Sequence, residues 1–368
     1  MVMVAELALL RHKIDVIDKT LLKLIAQRMK IVAKVGAIKK NYGLPIYVPE
    51  REKYILALRR KEAKKLGLSP SFFEDIIRRI ISESYIREYN QGVKPIHVLL
   101  RPIVIIGGKG KMGRFFEKIL LLSKYQVNIF DKEDWDNAEQ ILKNAAMVII
   151  SVPIQITKEI ISKLPKLPHD CIMVDISSVK IIPIQAMLAA HTGPVLGLHP
   201  MFAPDSEHPV RKVIILCHGR FPEAYQWFLE QLTIWGFKLH NISAIEHDKN
   251  MAFIQAFRHF ANFVYGVHLL EENVNLANLL KLASPIYKLE LKILARFFNQ
   301  NPHLYVDIIM ASDFNLTLIK HYYHCFGKLI ELIEQKDRNK FLEKFIKVKD
   351  WFSVHLQECI LNNPSCLR

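Results

Sequence analysis

Leu7, Leu10, Ile14, Ile17, Leu21, Leu24, Ile31, Val35 and Ile38 alternate at three- and four-residue spacing near the start of the chain. That period belongs to an α-helix whose apolar seam faces another helix. From Glu6 to Lys40 the helix would run on the order of 50 Å. A small domain cannot cover such a length alone, so pairing with a second copy in an intertwined dimer is expected. Gly43-Leu44-Pro45 stops the helix. A second helix is expected from Pro49 to Lys65, with Gly67 beyond it, and a third from Ser71 to Tyr89, where Ser71 and Glu74 are spaced as a capping box. Gly92-Val93-Lys94-Pro95 then reads as a linker.

Several charges sit where this bundle should be dry. Arg28 takes a seam position between Leu24 and Ile31, and Arg11 and Lys39 lie at adjacent edge positions. Arg51 falls in the first turn of the second helix, and Ser84 and Glu88 continue the stripe of Ile77 and Ile81 on the third. A buried unpaired cation is costly, so something anionic must meet these groups. One such residue alone would be read as part of an ion pair or as a snorkelling side chain. The set, with cations in excess, points to a small dianionic ligand.

Residues from about 100 to 243 have another texture, in which short β-rich runs alternate with helical stretches. The expected strands are Ile103–Gly107, Gln126–Asp131, Ala146–Ser151, Cys171–Asp175, Val195–His199, Lys212–Cys217 and Phe237–His240, a doubly wound α/β arrangement. The first runs into G-x-G-x-x-G, with Gly108, Gly110 and Gly113 opening a helix. Glycines there permit a tight turn and close approach of a pyrophosphate, and Asp131 at the end of the next strand would hold ribose hydroxyls, favouring NAD over NADP. Ser151 lies either on the nicotinamide side or at a plain strand exit. His199 ends the strand V-L-G-L-H at the sheet edge where ligands bind, and Pro200 keeps it extended. After Ser243 the pattern is helical to the C-terminus, which reads as a helical domain for substrate binding and dimerisation.

Composition narrows the class. With 368 residues and 51% hydrophobic content, the chain can build two or three cores. Its apolar start is too short to span a bilayer and lacks the features of a signal peptide, so neither membrane nor export is expected. Cys171, Cys217, Cys325, Cys359 and Cys366 are scattered and form no C-x-x-C, which suits reduced thiols in a cytoplasm and gives no metal site. The net charge of +15 forms no aromatic-interleaved basic stripe. Anionic small ligands account for it better than nucleic acid does.

The motifs A-L-L-R-H-K-I-D, L-I-A-Q-R, V-G-A-I-K, P-E-R-E and S-E-S resemble the all-helical chorismate mutases across residues 1–92. That resemblance implies that Arg28, Arg51 and a second subunit's Arg11 hold the carboxylates of chorismate. Lys39 and Glu88 would flank the ether oxygen, and Glu52 and Ser84 the substrate hydroxyl and its surroundings. G-L-H-P-M-F-A-P-D, D-I-S-S-V-K, E-H-D-x-N-M-A-F-I-Q-A and S-P-I-Y-x-L-E-L are similar to the prephenate dehydrogenases. This second likeness implies NAD-linked oxidative decarboxylation of prephenate to 4-hydroxyphenylpyruvate. In it His199 is the base, Arg296 anchors the ring carboxylate, Lys180 and Ser178 lie near the reacting centre, and His247 is a supporting or substrate contact. Inhibition by tyrosine near Tyr305 and a homodimer are implied as well. The expected organisation is an all-α mutase domain over 1–92, a Rossmann-like NAD domain over 100–243, and an all-α dimerisation domain over 244–368. Two other readings are a dehydrogenase acting on arogenate whose front helices only dimerise, and a nucleic-acid or partner-binding protein.

Val48 and Glu88 replace Asp and Gln of one mutase branch, and Lys288 stands where related dehydrogenases often carry Arg. A carboxylate cannot donate to an ether, so Glu88 must carry a proton to help. Mutase turnover should therefore rise as pH falls, and Glu88→Gln should flatten the profile. Superimposable pH–rate curves for the two proteins would remove this role.

Overall fold

The structure is a computed structural model that describes residues 2–204 and 208–362. Asp205 of the H-P-M-F-A-P-D motif, Cys366 and the side chain of Cys359 lie outside the described residues. The chain forms two compact units, Met1–Asn250 and Met251–Arg368. Among the described residues, no helix is long and apolar enough to cross a membrane.

The first unit opens with three helices, α1 (Val2–Tyr42), α2 (Pro49–Lys65) and α3 (Pro70–Asn90). Gly43 (φ 67°) turns the chain after α1. The cap of α3 differs from the expected one: Ser69 accepts from the Phe72 amide, and Pro70 occupies the first helical position. Proline suits that position because its missing N–H would have no helical partner. Glu74, freed from capping, instead takes Arg60 and Arg78. The seam of α1 is largely uncovered in the single chain, with Ile17 59% and Ile31 62% exposed.

Seven strands follow: β1 (Ile103–Ile106), β2 (Val127–Phe130), β3 (Met147–Ile150), β4 (Ile172–Asp175), β5 (Val195–Pro200), β6 (Val213–Arg220) and β7 (Lys238–Asn241). They form one sheet in the order β2-β1-β3-β4-β5-β6-β7. β2 through β5 are parallel, β6 runs antiparallel to β5, and β7 parallel to β6. β1, β3 and β4 are buried along their whole length. Helices on both faces require such uninterrupted apolar runs. These helices are α4 (Lys111–Leu122), α5 (Ala138–Leu142), α6 (Ile154–Lys163), α7 (Ile181–Ala190) and α8 (Gln226–Ile234), with α9 (Ala244–Met251) closing the unit.

The bundle and the sheet share a core. Leu56, Ile81, Tyr85 and Tyr89 of the bundle join Ile103, Phe116, Val210 and Trp235 in one buried cluster. The expected linker is part of it: Val93 is buried, and the Ile96 amide donates to Gln231 Oε1 at 2.8 Å.

The second unit, after a π-helical turn at Ala252–Phe257, holds α10 (Arg258–Glu271), α11 (Leu276–Leu282), α12 (Pro285–Phe298), α13 (Pro302–Ile309), α14 (Asp313–Glu334) and α15 (Arg338–Asn362). Asn275, Ser284, Asn301 and Ser312 cap α11 to α14 with their side chains. Many of its apolar side chains, among them Phe326, Ile333, Phe345 and Trp351, remain exposed.

Strand order reverses between β1 and β3, the place where open α/β sheets bind ligands. Gly107 follows β1 there with φ 75°, and a Cβ on it would come within 2.4 Å of Ser151 O. Gly107→Ala should lower stability by more than about 2 kcal/mol and weaken NAD binding. Calorimetric melting and a fluorescence titration with NAD would show both.

Candidate active sites

Four of the interior polar groups of the bundle converge. Arg28 Nη1 on α1 donates to Ser84 Oγ on α3 at 2.6 Å, and Ser84 donates in turn to the Ile80 carbonyl at 2.7 Å. Lys39 Nζ donates to Glu88 Oε2 at 2.7 Å and to the Ile46 carbonyl at 2.8 Å. Gly36 makes this approach possible, since a Cβ there would lie 3.2 Å from Glu88 Cα. Burial draws the Arg28 guanidinium below its ordinary value, and the Glu88 carboxylate opposes that effect.

The other front residues have different surroundings. Arg11 is exposed on α1, 17 residues before Arg28, which is about 25 Å along a helix. It cannot join the Arg28 of its own chain. Arg51 is exposed with its guanidinium 5.7 Å from the centre of the Tyr54 ring. Glu52 is buried and engaged by the Tyr85 hydroxyl at 2.7 Å, by Arg211 and, at 3.8 Å, by Arg78. Arg211 carried no signal in the sequence, because its only link to the bundle is spatial.

The glycine loop forms a close-fitting cradle. A Cβ on Gly113 would meet Gly108 Cα at 2.7 Å, and one on Gly108 would meet the Ile129 side chain at 2.5 Å. Gly110 caps α4 without a side chain, leaving the helix N-terminus open to an anion. Asp131 Oδ2 accepts from the Lys109 amide at 3.2 Å, which ties the end of β2 to the loop. Ser151 directly follows β3, facing this loop across the switch point. Glycine alone fits at these contacts, and with the N-terminus of α4 free of a side-chain cap the loop fits the pyrophosphate of a dinucleotide.

His199 is buried at the end of β5, and its Nδ1 lies 2.8 Å from His247 Nε2. His247 Nδ1 in turn lies 2.7 Å from Asp248 Oδ1. A carboxylate can only accept, so His247 carries its proton on Nδ1. Its Nε2 then accepts from His199 Nδ1, which puts the His199 lone pair on Nε2. Burial first, then His247 and Lys180, hold the pKa of His199 well below the ordinary value of 6.5. Burial likewise lowers that of His247, against the opposing pull of Asp248.

Asp248 also accepts from the backbone amides of Lys180 at 2.8 Å and Ile181 at 3.0 Å, closing the first turn of α7. Lys180 is fully buried in an ion pair with Asp175. Ser177, not its neighbour Ser178, bonds Asp175, through its amide at 3.0 Å and its hydroxyl at 3.1 Å. Asp175, Ser177 and Asp248 stand inside the D-I-S-S-V-K and E-H-D motifs, yet nothing in spacing alone singles them out. Arg296 lies in the second unit, exposed in the last turn of α12. Burial raises the pKa of Tyr305, against the opposing pull of the Arg296 cation. The Tyr305 ring sits 4.5 Å from both His259 and Phe297. Lys288 is exposed on α12.

A helical bundle with a cation-rich interior and a dinucleotide-type sheet with a buried histidine define a mutase joined to a dehydrogenase. Residues 10–89 match the family model of type II chorismate mutases. Residues 117–220 match that of the prephenate dehydrogenase nucleotide-binding domain, and 243–347 that of the prephenate dehydrogenase dimerization domain. The chain is 58% identical to the T-protein of Enterobacter agglomerans over 366 residues, which are 100% of this chain and 98% of that protein. It is 46% identical to the T-protein of Haemophilus influenzae over 360 residues, 98% and 96% of the two chains. The crystal structure of prephenate dehydrogenase from A. aeolicus with hydroxyphenyl propionate and NAD+ matches with a TM-score of 0.53 at 18% identity. That match covers 68% of this chain and 97% of the other, and is a likeness of fold.

The chain belongs to the T-protein family. It couples a chorismate mutase to an NAD-dependent prephenate dehydrogenase of tyrosine biosynthesis.

The hydrogen-bonded row ending on Asp248 fixes the tautomer of His199. Asp248→Asn should lower prephenate oxidation by about 10–100-fold while chorismate rearrangement keeps its wild-type rate. Steady-state assays of the two reactions on one preparation give the comparison.

Proposed function

We propose that the Arg28, Lys39, Ser84 and Glu88 group is where chorismate rearranges, and that the prephenate formed there is oxidised beside His199. The observation that carries the first half is the pair of cations directed from α1 into the bundle, each held by a polar group of α3. A pericyclic rearrangement needs no nucleophile or base, so its catalyst must hold a compact conformer and stabilise charge on the breaking ether. Arg28 and Arg51 suit bidentate carboxylate binding, while Lys39 offers a point charge to the ether oxygen. Glu88 serves that oxygen when protonated, and Ser84 and Glu52 border the substrate hydroxyl.

A homodimer completes this reading. It covers the open seam of α1 and brings a second subunit's Arg11 to a site its own chain cannot reach.

In the second reaction His199 Nε2 accepts the proton of the ring hydroxyl. His247 and Asp248 keep the imidazole in the required tautomer throughout. Lys180 disfavours the imidazolium and so keeps the base neutral before the proton arrives, with Ser178 at the border of the same edge. Arg296 anchors the ring carboxylate. NAD, held by Gly108, Gly110, Gly113, Asp131 and Ser151, supplies the hydride acceptor, and loss of CO₂ restores the aromatic ring. Tyrosine as inhibitor, bound in the second unit near Tyr305, and a cytoplasmic location complete the proposal. The free thiols of Cys171, Cys217 and Cys325 suit that compartment.

Chorismate supplied without NAD should lose its absorbance, and NADH should form only when NAD is added. His199→Asn should abolish the second signal and leave the first. The rate of prephenate oxidation should fall on the acid side as His199 takes up a proton. Lys180→Met should move that limb to higher pH, because removing the cation favours imidazolium. An unmoved limb would show that Lys180 does not act on the base.

A further inference from the structure

Glu52 is bound from outside the mutase bundle. Arg211 stands in the turn Pro209–Lys212 just before β6, closed by the Lys212 amide donating to the Pro209 carbonyl at 2.9 Å. Its backbone has φ 65°, at a turn position where glycine or asparagine is usual. The side chain leaves the nucleotide-binding domain and enters the bundle. Nε donates to Glu52 Oε2 at 3.1 Å, and Nη2 makes an ion pair with the same oxygen. The guanidinium lies 5.3 Å from the centre of the Tyr85 ring and 5.9 Å from that of Tyr47. Tyr85 also donates to Glu52 Oε2, at 2.7 Å.

Arg211 and Tyr85 therefore fix one oxygen of this carboxylate, and Arg78 of α3 stands 3.8 Å from the other. Tyr85 follows Ser84 on α3 and precedes Glu88 by one turn, so Glu52 is tied to the helix that holds Arg28 and Lys39. Burial works against the Arg211 charge, but the bond to Glu52 and its field outweigh it. A non-glycine residue kept in a left-handed turn persists only where its surroundings demand it. From this turn the side chain reaches a carboxylate 159 positions earlier in the chain.

We propose that Arg211, a residue of the nucleotide-binding domain, is a positioning residue of the mutase site that acts by orienting Glu52. This rests on the placement of Glu52 beside the chorismate hydroxyl. Mutase turnover thereby depends on a side chain that the other catalytic domain contributes from the same chain. An isolated bundle would lack it.

Four variants of the full chain test this: R211G, R211K, E52Q and R211G/E52Q. R211G removes the guanidinium and relieves the left-handed backbone together, so a loss cannot come from a strained turn. It should lower mutase kcat/KM about tenfold, chiefly through KM for chorismate. R211K should recover activity to within about threefold of wild type. In the E52Q background R211G should cost less than about twofold, because the two changes remove one interaction. Prephenate oxidation should stay within about twofold in all four, as a check on the fold.

Wild-type chorismate kinetics in R211G, or losses in R211G and E52Q that multiply, would overturn the proposal. If R211G fails to fold, R211M takes its place in the same cycle, keeping the aliphatic stem against Tyr47 and Tyr85. Unchanged chorismate kinetics in E52Q would remove Glu52 from the mutase site and this proposal with it. An impaired E52Q beside a normal R211G would strike Arg211 alone.

Discussion

Lys180 and Asp175 are both fully buried and form an ion pair with each other. Removing one partner of such a pair leaves an uncompensated charge away from water, at a cost of roughly 3–5 kcal/mol. Much of the dehydrogenase edge is arranged around this pair. Asp175 ends β4 and takes the Ser177 amide and hydroxyl, which shapes the turn into α7. The amides of Lys180 and Ile181 at the start of α7 find their acceptor in Asp248 on α9, and Asp248 then holds His247, which holds His199. One ion pair, one helix start and one row of imidazoles are thus a single connected set.

The mutase bundle obeys the same rule with a different result. Arg28 and Lys39 are each met by a polar group of α3, but Ser84 is neutral, so the positive charge there is only partly balanced. That imbalance suits a substrate carrying two carboxylates. The dehydrogenase edge, by contrast, carries its own anions, Asp175 against Lys180 and Asp248 against His247. Chorismate and prephenate share their charge, and a chain with a net charge of +15 draws both toward its surface.

The shared core explains why the two functions are not beads on a string. Leu56, Ile81, Tyr85 and Tyr89 give their apolar faces to the same cluster as the sheet residues Ile103 and Ile105. A bundle of three helices has little interior of its own, and α1 leaves one side of itself uncovered. The nucleotide domain covers part of what the bundle cannot bury.

The sequence alone was enough for the three bundle helices and all seven strands, because each carries a strong local period or an apolar run bounded by turn residues. It was also enough to place the glycine loop directly after β1 and His199 near the end of β5. The cap at Ser69 was missed because Ser71 and Glu74 imitate the spacing of a capping box, while Pro70 decides the matter. Only the tertiary structure brought Arg211 to Glu52, Asp248 to the start of α7, and Asp175 to Lys180 as a buried pair. Local periodicity reports which face of an element is apolar, and it carries no information about which distant charge will meet another. Those meetings are set by how the elements pack, since the cost of leaving a buried charge alone is felt only once water has been excluded.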